Sequence, residues 1–168
     1  MIIIYTGNGK GKTSATTGQA IRALGQGKTV AFAQFFKRPD QAGEQKILAS
    51  LLQDNWLAAG PGFYLNNPAQ LPEQRRVADE VLAWLAAKAP HCFMLIADEA
   101  LYALHSEIIS QTDLQNLIDL CRQHGTHLVL SGRNLPAWLK DEADLVSQIE
   151  EVKHPLAQGQ KALPGIEY

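Results

Sequence analysis

Cysteine is scarce in this chain of 168 residues: only Cys92 and Cys121 are present, far apart and without a CxxC pair. That excludes a disulfide framework and a four-thiolate zinc site. An excess of one charge is also missing. Fifteen basic residues face 17 acidic ones, a formal net charge of -2, so no global field recommends nucleic acid or an anionic membrane as partner. Any anion site must be local. No apolar run approaches the roughly 18 residues a bilayer span needs. The opening Met1-Ile2-Ile3-Ile4-Tyr5 lacks the basic region and cleavage site of a secretory signal, so a cytoplasmic protein without membrane or nucleic-acid partner is expected. Charged residues are few, at 19%, and hydrophobic ones reach 46%, which excludes disorder and supplies one sizeable core. A single domain over residues 1–168 is the expectation.

What is present is an alternation. Ile2 to Tyr5 is a β-branched run entering Thr6-Gly7-Asn8-Gly9-Lys10-Gly11-Lys12-Thr13, and Ser14 to Leu24 carries helix formers that end at Gly25 and Gly27. A nearly continuous apolar strand is predicted from Thr29 to Phe36, then a helix from Glu44 to Leu52 with Ile47, Leu48, Leu51 and Leu52 at helical spacing. From Asp54 to Pro72, glycines, prolines and asparagines break any period, and the stretch reads as a long functional loop. Pro72 opens a helix to Lys88, with Val77, Val81, Leu82, Trp84 and Leu85 on its buried side. Cys92 to Ala97 is an apolar strand ending in Asp98-Glu99, followed by a helix from an N-cap at Thr112 to His124 with Gly125 as C-cap. A strand from His127 to Leu130 enters Ser131-Gly132-Arg133, and a short helix near Pro136 to Glu142 and a strand from Leu145 to Ile149 close the series. This order predicts an α/β fold with a mostly parallel sheet and helices on both faces. Function in such a sheet belongs at the carboxyl ends of the strands, where the glycine loop, Asp98-Glu99 and Ser131-Gly132-Arg133 fall.

Gly7, Gly9 and Gly11 remove side chains where a loop would wrap a phosphate, Lys12 brings positive charge, and Thr13 offers a hydroxyl to a magnesium ion at a helix start. The segment reads as a P-loop. The usual spacing is GxxxxGK[ST], whereas Gly7 and Gly11 have three residues between them, so Thr6 takes the place of the first glycine. A dinucleotide site fails separately, because the second strand closes in Phe36-Lys37 where a ribose-binding acid would stand. Asp98 is read as the magnesium partner, directly or through water, and Glu99 as a residue that polarises a water or ties down a loop. Lys37, Arg38 and Arg133 could add charge around a polyphosphate, and each alone is as readily a solvated surface residue. Cys121, His124 and His127 resemble a metal string but straddle a helix end, a glycine and a strand start, so their side chains should diverge and packing is the preferred reading. Trp84 and Trp138 are assigned to packing. Trp56, Phe63 and Tyr64, on a stretch rich in glycine and proline, are candidates to contact a large flat apolar ligand.

Taken together, these residues resemble the ATP:corrinoid adenosyltransferases of the CobA/CobO/BtuR type. The resemblance is carried by the short loop Thr6 to Thr13, the strand Val30 to Lys37, Asp98-Glu99 with Tyr102, Ser131-Gly132-Arg133, and the tail from Val152-Lys153-His154 through Gly165-Ile166-Glu167-Tyr168. It implies a P-loop NTPase fold with a RecA-like sheet, and ATP held in a reversed sense so that its ribose C5′ faces the second substrate. The implied reaction moves the 5′-deoxyadenosyl group of ATP to Co(I) of a corrinoid with release of triphosphate, in adenosylcobalamin biosynthesis or salvage. Cob(I)yrinic acid a,c-diamide, cobalamin and cobinamide are the implied acceptors. Lys12, Thr13, Asp98 and Glu99 are the implied catalytic residues. Thr6, Gly7, Asn8, Gly9, Lys10, Gly11, Lys12, Thr13, Ser14, Lys37, Arg133 and Phe63 would bind the ligands, with Thr13 and Asp98 holding Mg²⁺ or Mn²⁺. The nucleophile belongs to the corrinoid, so no Ser, Cys or His base is required, and the chain offers no triad.

A homodimer and an electron donor such as a reduced flavoprotein are implied as partners. Members of the family commonly carry an extension before the first strand, and here the chain begins at the strand, which implies a more open site or one closed by a partner subunit. The family's loop tends to read Gly-Phe-x-Trp, where this chain has Gly62-Phe63-Tyr64-Leu65. The competing readings are a P-loop phosphotransferase or ATPase acting at the γ-phosphate, thymidine-kinase-like, and a non-catalytic corrinoid or nucleotide carrier. The four-cysteine zinc element usual in thymidine kinases cannot be built from two cysteines.

Overall fold

A computed structural model describes residues 1–64 and 67–167. Six strands form one sheet: β1 (Ile2–Thr6), β2 (Val30–Gln34), β3 (Trp56–Ala58), β4 (Met94–Asp98), β5 (His127–Ser131) and β6 (Leu145–Gln148). Their order is β3-β2-β4-β5-β1-β6, and every pairing is parallel. The helices are α1 (Lys12–Gly25), α2 (Gly43–Leu52), α3 (Leu71–Lys88), α4 (Ala100–His105), α5 (Gln111–His124) and α6 (Ala137–Glu142). The α/β prediction stands, and β5 lies between β1 and β4 as in a RecA-like sheet.

The core has two layers because residues on a strand alternate faces. Ile3, Phe32, Ile96 and Val129 meet Ala20 and Ala23 of α1 and Leu48 and Leu52 of α2. Ile4, Ala33, Leu95 and Leu128 face the other way, onto Val81 and Leu85 of α3 and Leu114 and Ile118 of α5. Burial on both faces explains the unbroken apolar runs in β2 and β4.

Four sequence expectations need correction. The stretch from Asp54 to Pro72 is not loop throughout: Trp56–Ala58 pair with Phe32, Ala33 and Gln34, extending the sheet by an edge strand. Trp56 therefore packs against Phe32, with ring centroids 5.5 Å apart in the α1/α2 layer, and lines neither of the two cavities described below. The helix predicted from an N-cap at Thr112 begins two residues earlier. Ser110 caps it, its hydroxyl accepting from Asp113 N at 3.1 Å while the Asp113 carboxylate accepts from Ser110 N at 2.8 Å. Finally, Asp98-Glu99 leads into a short helix, α4, that the apolar pattern did not announce.

The proposed metal string diverges as expected, with Cys121 buried in the core and His127 stacked edge-on against Phe93 at 4.5 Å. Trp84 and Trp138 pack on the core. Leu65, which stands where the family tends to have tryptophan, lies outside the described residues. Among the described residues, no helix is long and apolar enough to cross a membrane.

Candidate active site

The loop after β1 is shaped by the chain beyond β6. Gly9 N donates to Ile149 O at 2.9 Å and Ile149 N donates to Thr6 O at 2.8 Å. A Cβ on Gly7 would stand 2.2 Å from Ile149 O, and one on Gly9 2.7 Å from the Glu150 backbone. Gly7 also has φ +108, which side-chain-bearing residues rarely adopt. These glycines are required by the neighbouring strand end as much as by any phosphate. Thr6, predicted to take the first glycine's place, is the last residue of β1 and buried.

Lys12 opens α1 and is buried, its Nζ donating to the carbonyls of Gly7 at 2.9 Å and Gly9 at 2.8 Å. Burial lowers the pKa of this ammonium from its usual 10.5, opposed by the charge of Glu99. Thr13, one residue on, points at Asp98: its Oγ1 lies 3.1 Å from Oδ2 and 3.3 Å from Oδ1. Asp98 ends β4 and is wholly buried, its register partner on β2 being Gln34. Its carboxylate accepts from Ser131 Oγ at 2.6 Å and from Gln34 Nε2 at 3.0 Å. Ser131 Oγ also accepts from Glu99 N at 2.9 Å, so β5 fills the gap between loop and carboxylate with a hydroxyl. Glu99 occupies the left-handed region, φ 64. Burial and then the neighbouring Asp98 push its carboxyl up to about 7, against the pull of Lys12, Lys37 and Arg133.

Two cavities open along this edge. The first, about 780 Å³, is lined by Lys10 to Ser14, Thr17, Lys37, Glu44 and Glu99, among others. The hydroxyl of Thr17 on its wall is buried without a hydrogen-bond partner among the described residues. The second, about 830 Å³, has an apolar wall of Phe36, Ala42, Pro61 and Phe63 and a polar one that includes Arg38, Gln41, Glu73 and Gln74. Lys37 and Glu167 border both. Phe63 is 48% exposed and stacks on Phe36 at 5.6 Å, with Tyr102 edge-on to both, at 5.1 Å from Phe36 and 5.7 Å from Phe63. Tyr64, by contrast, is buried in the core, and its carbonyl accepts from Tyr102 Oη at 2.6 Å, so it backs the aromatic cluster instead of touching a ligand. The loop is held by Gln74 Nε2 donating to Gly62 O at 2.8 Å and Arg38 Nε donating to Pro61 O at 2.8 Å.

The structure brings Gly11, Lys12, Thr13, Asp98 and Glu99 together and sets Lys37 between the cavities, where it pairs with Glu44 at 2.6 Å. Burial would raise the Glu44 carboxyl, but the hydrogen bond and charge of Lys37 outweigh it and hold the pKa below its usual value. Asn8, Lys10, Ser14 and Arg133 lie at the exposed rim. Arg133 Nη2 donates to Asn8 O at 3.4 Å, and Lys10 Nζ donates to the Ile166 carbonyl of the tail. The sequence reading missed Gln34, Gln45 and Glu44. The signal was a glutamine closing an otherwise apolar strand, Val30-Ala31-Phe32-Ala33-Gln34.

A metal ion fits this donor set. One hydroxyl and one buried carboxylate leave the remaining positions to phosphate and water, which suits Mg²⁺. Among the described residues there is no group of three or more His, Cys, Asp and Glu that would hold a metal alone.

Residues 1–168 match the family described as "ATP:corrinoid adenosyltransferase BtuR/CobO/CobP". A corrinoid adenosyltransferase from Sinorhizobium is 33% identical over 174 residues, covering 100% of this chain and 80% of the relative. Corrinoid adenosyltransferase CobA from Salmonella typhimurium is 33% identical over 175 residues, covering 100% and 85%. That of Escherichia coli K12 is 31% identical, also covering 100% and 85%. Among solved structures, a DNA replication initiation factor superposes with TM-score 0.47 at 12% identity, covering 89% of this chain and 39% of the other.

Proposed function

Because this chain belongs to the ATP:corrinoid adenosyltransferase family, we propose that it transfers the 5′-deoxyadenosyl group of ATP to Co(I) of a corrinoid and releases triphosphate. The observation that carries the reading is the adjacency of two cavities. One is a phosphate-type site lined by Lys12 and Thr13 with Asp98 buried behind them, and the other has an apolar wall carrying an exposed aromatic ring. They share Lys37 and Glu167 as a common wall.

The electron pair comes from the acceptor substrate. Co(I) attacks C5′, the C5′–O5′ bond breaks, and the pair leaves on the triphosphate oxygen as the Co–C bond forms. The protein therefore need not generate a nucleophile. Its task is to stabilise the leaving group, for which Lys12, the amides of Lys10 to Thr13 and the helix N-terminus of α1 supply positive potential. Lys10, Lys37 and Arg133 add charge at the rim. Mg²⁺ or Mn²⁺, held by Thr13 and Asp98, supplies Lewis-acid neutralisation of the phosphates when bound. Ser131 and Gln34 orient the Asp98 carboxylate. Glu99, pushed up to about 7, is poised to hold or release a proton beside Lys12.

Phe63, Phe36 and Tyr102 offer an apolar, water-excluding face for the corrinoid ring. An apolar site would ease loss of an axial ligand and hence reduction of Co(II), with electrons from a donor such as a reduced flavoprotein. The reading includes one domain over 1–168, a cytoplasmic homodimer, and service in adenosylcobalamin synthesis or salvage with cobyrinic acid a,c-diamide, cobinamide or cobalamin as acceptor. The family resemblance supports these finer points.

The test is an anaerobic assay with ATP, Mg²⁺ and chemically reduced cobinamide or cobalamin. A light-sensitive alkylcobalt spectrum accompanied by stoichiometric triphosphate is expected. ADP or inorganic phosphate without a cobalt–carbon bond would overturn the reading in favour of a phosphotransferase or ATPase.

A further inference from the structure

Between the two cavities, a run of buried amides joins Asp98 to the turn that walls the apolar cavity. Gln45, in the first turn of α2, accepts on Oε1 from Gln41 N at 2.8 Å and Ala42 N at 3.1 Å. A backbone N–H can only donate, so this oxygen is fixed as the acceptor and Nε2 must donate. It does so twice, to Arg38 O at 3.1 Å and to Gln34 Oε1 at 2.9 Å. The orientation of Gln34 follows in turn, and its Nε2 donates to Asp98 Oδ2 at 3.0 Å. Every dipole therefore points the same way, from the Gln41 and Ala42 amides to the carboxylate, and bonds so aligned reinforce one another.

Gln34 is wholly buried and Gln45 is 2% exposed. Neither lines either of the two cavities, whereas Arg38, Gln41 and Ala42, which Gln45 holds, line the one that carries Phe63. At the far end, the Asp98 carboxylate also faces the Thr13 hydroxyl on the nucleotide side. An apolar pair would fill the same space under α2 but leave the Gln41 and Ala42 amides, the Arg38 carbonyl and Asp98 Oδ2 without these partners, so the two amides tie the turn to the carboxylate.

We propose that Gln34 and Gln45 are positioning residues that couple occupancy of the nucleotide cavity to the shape of the acceptor cavity. The inference rests on the functional reading above, which makes the apolar cavity the corrinoid site. A ligand that draws the Thr13 hydroxyl from Asp98 changes what the Gln34 amide meets. The aligned run transmits that change to the Arg38 to Ala42 turn, and with it to Lys37 on the shared wall. Nucleotide then binds first in effect, tightening the site for the acceptor, and by reciprocity the acceptor tightens nucleotide by the same factor.

The experiment is titration of the whole protein with cob(II)inamide, followed by visible absorbance, without and with saturating MgATP. Co(II) does not attack C5′, so ATP stays intact. The readout is the ratio of the two dissociation constants, which a general loss of structure would not move because both constants would shift together. Wild-type protein is expected to give a ratio of about 5-fold or more, the lower end of ordinary allosteric coupling.

Gln34→Met cuts the run at its middle while Gln45 keeps its bonds to Arg38, Gln41 and Ala42, and its ratio should fall to about 1. Should that variant fail to fold, Gln45→Glu decides. It keeps an acceptor for the Gln41 and Ala42 amides but sets an oxygen where the donor to Gln34 stood, and its ratio should also collapse. A wild-type ratio of 1, or a wild-type ratio retained by a folded variant, overturns the proposal. Adenosyl transfer by wild-type protein, assayed in the same preparation, separates the two claims: transfer without coupling overturns only the coupling, and absence of transfer overturns the functional reading. Absence of cob(II)inamide binding under both conditions overturns the coupling, and the transfer assay alone decides the functional reading.

Discussion

Replacing Glu99 by glutamine removes a charge that its surroundings disfavour, and the consequence for stability depends on pH in a defined sense. In the folded protein, burial and the adjacent Asp98 push the Glu99 carboxyl from the usual 4.5 up to about 7. Between those values the native state holds a proton that the unfolded chain has released, so stability falls as pH rises through the window, and the loss is complete above about 7. At about 1.4 kcal/mol per pH unit, the cost at pH 8 is roughly 3 kcal/mol, an upper figure because Glu99 is partly exposed. Glutamine keeps the shape and the left-handed backbone strain at φ 64, so the comparison isolates the charge. Glu99→Gln should therefore melt close to wild type near pH 4.5 and above it at pH 8, by up to about 6 to 12 °C for a domain of this size. Differential scanning calorimetry of both proteins from pH 4.5 to 8.5 checks this. Parallel Tm profiles, or a gap that widens toward acid, would refute the assignment of a buried, poised carboxyl at this position.

Other perturbations separate the site's parts. Lys12→Ala should fold, since among the described residues the hydrogen bonds of Lys12 Nζ go to the Gly7 and Gly9 carbonyls of its own loop, yet its turnover with ATP and reduced corrinoid should fall by about 100-fold or more. A steady-state rate within tenfold of wild type would contradict the role of its charge. Gly7→Ala and Gly11→Ala share a positive φ, but only at Gly7 would the new methyl stand 2.2 Å from a backbone oxygen, the Gly11 methyl having 4.0 Å of clearance. Gly7→Ala should accordingly lose at least about 2 kcal/mol more than Gly11→Ala in urea unfolding, because the backbone strain is common to both and the clash, of order 1–3 kcal/mol for an overpacked site, falls on Gly7 alone. Phe63→Ala, removing a half-exposed ring, should cost less than about 1.5 kcal/mol of stability. It should leave the MgATP dissociation constant near wild type while making bound Co(II) harder to reduce. Unchanged corrinoid spectra and activity would take Phe63 out of the site.

The alternation of strands and helices was legible because both sheet faces are covered, which turns β2, β4 and β5 into short unbroken apolar runs. The glycine loop and Asp98-Glu99 were legible because both stand where such runs stop. What escaped detection depended on contacts distant in sequence. β3 has three residues between a 3-10 turn and a glycine, and it is a strand only because Phe32 to Gln34 offer it an edge. Trp56 and Tyr64 looked like ligand contacts from their irregular neighbourhood, but the β3 pairing turns one into the α1/α2 layer and the Tyr102 hydrogen bond ties the other to the core. Ser110 rather than Thr112 caps α5 because the reciprocal bond with Asp113 needs a spacing of three. Gln34 and Gln45 sit eleven residues apart and meet only when α2 folds over β2. A buried polar residue at the end of an apolar strand was the available sign.

The central claim is that this chain breaks the C5′–O5′ bond of ATP, and ATP carrying ¹³C at C5′ tests it most directly. After anaerobic turnover with reduced cobinamide, the ¹³C resonance should leave the phosphate-ester region and reappear as a carbon bonded to cobalt, lost on exposure to light, with triphosphate formed in equal amount. A C5′ signal still on a phosphate ester, with ADP accumulating, would contradict the account.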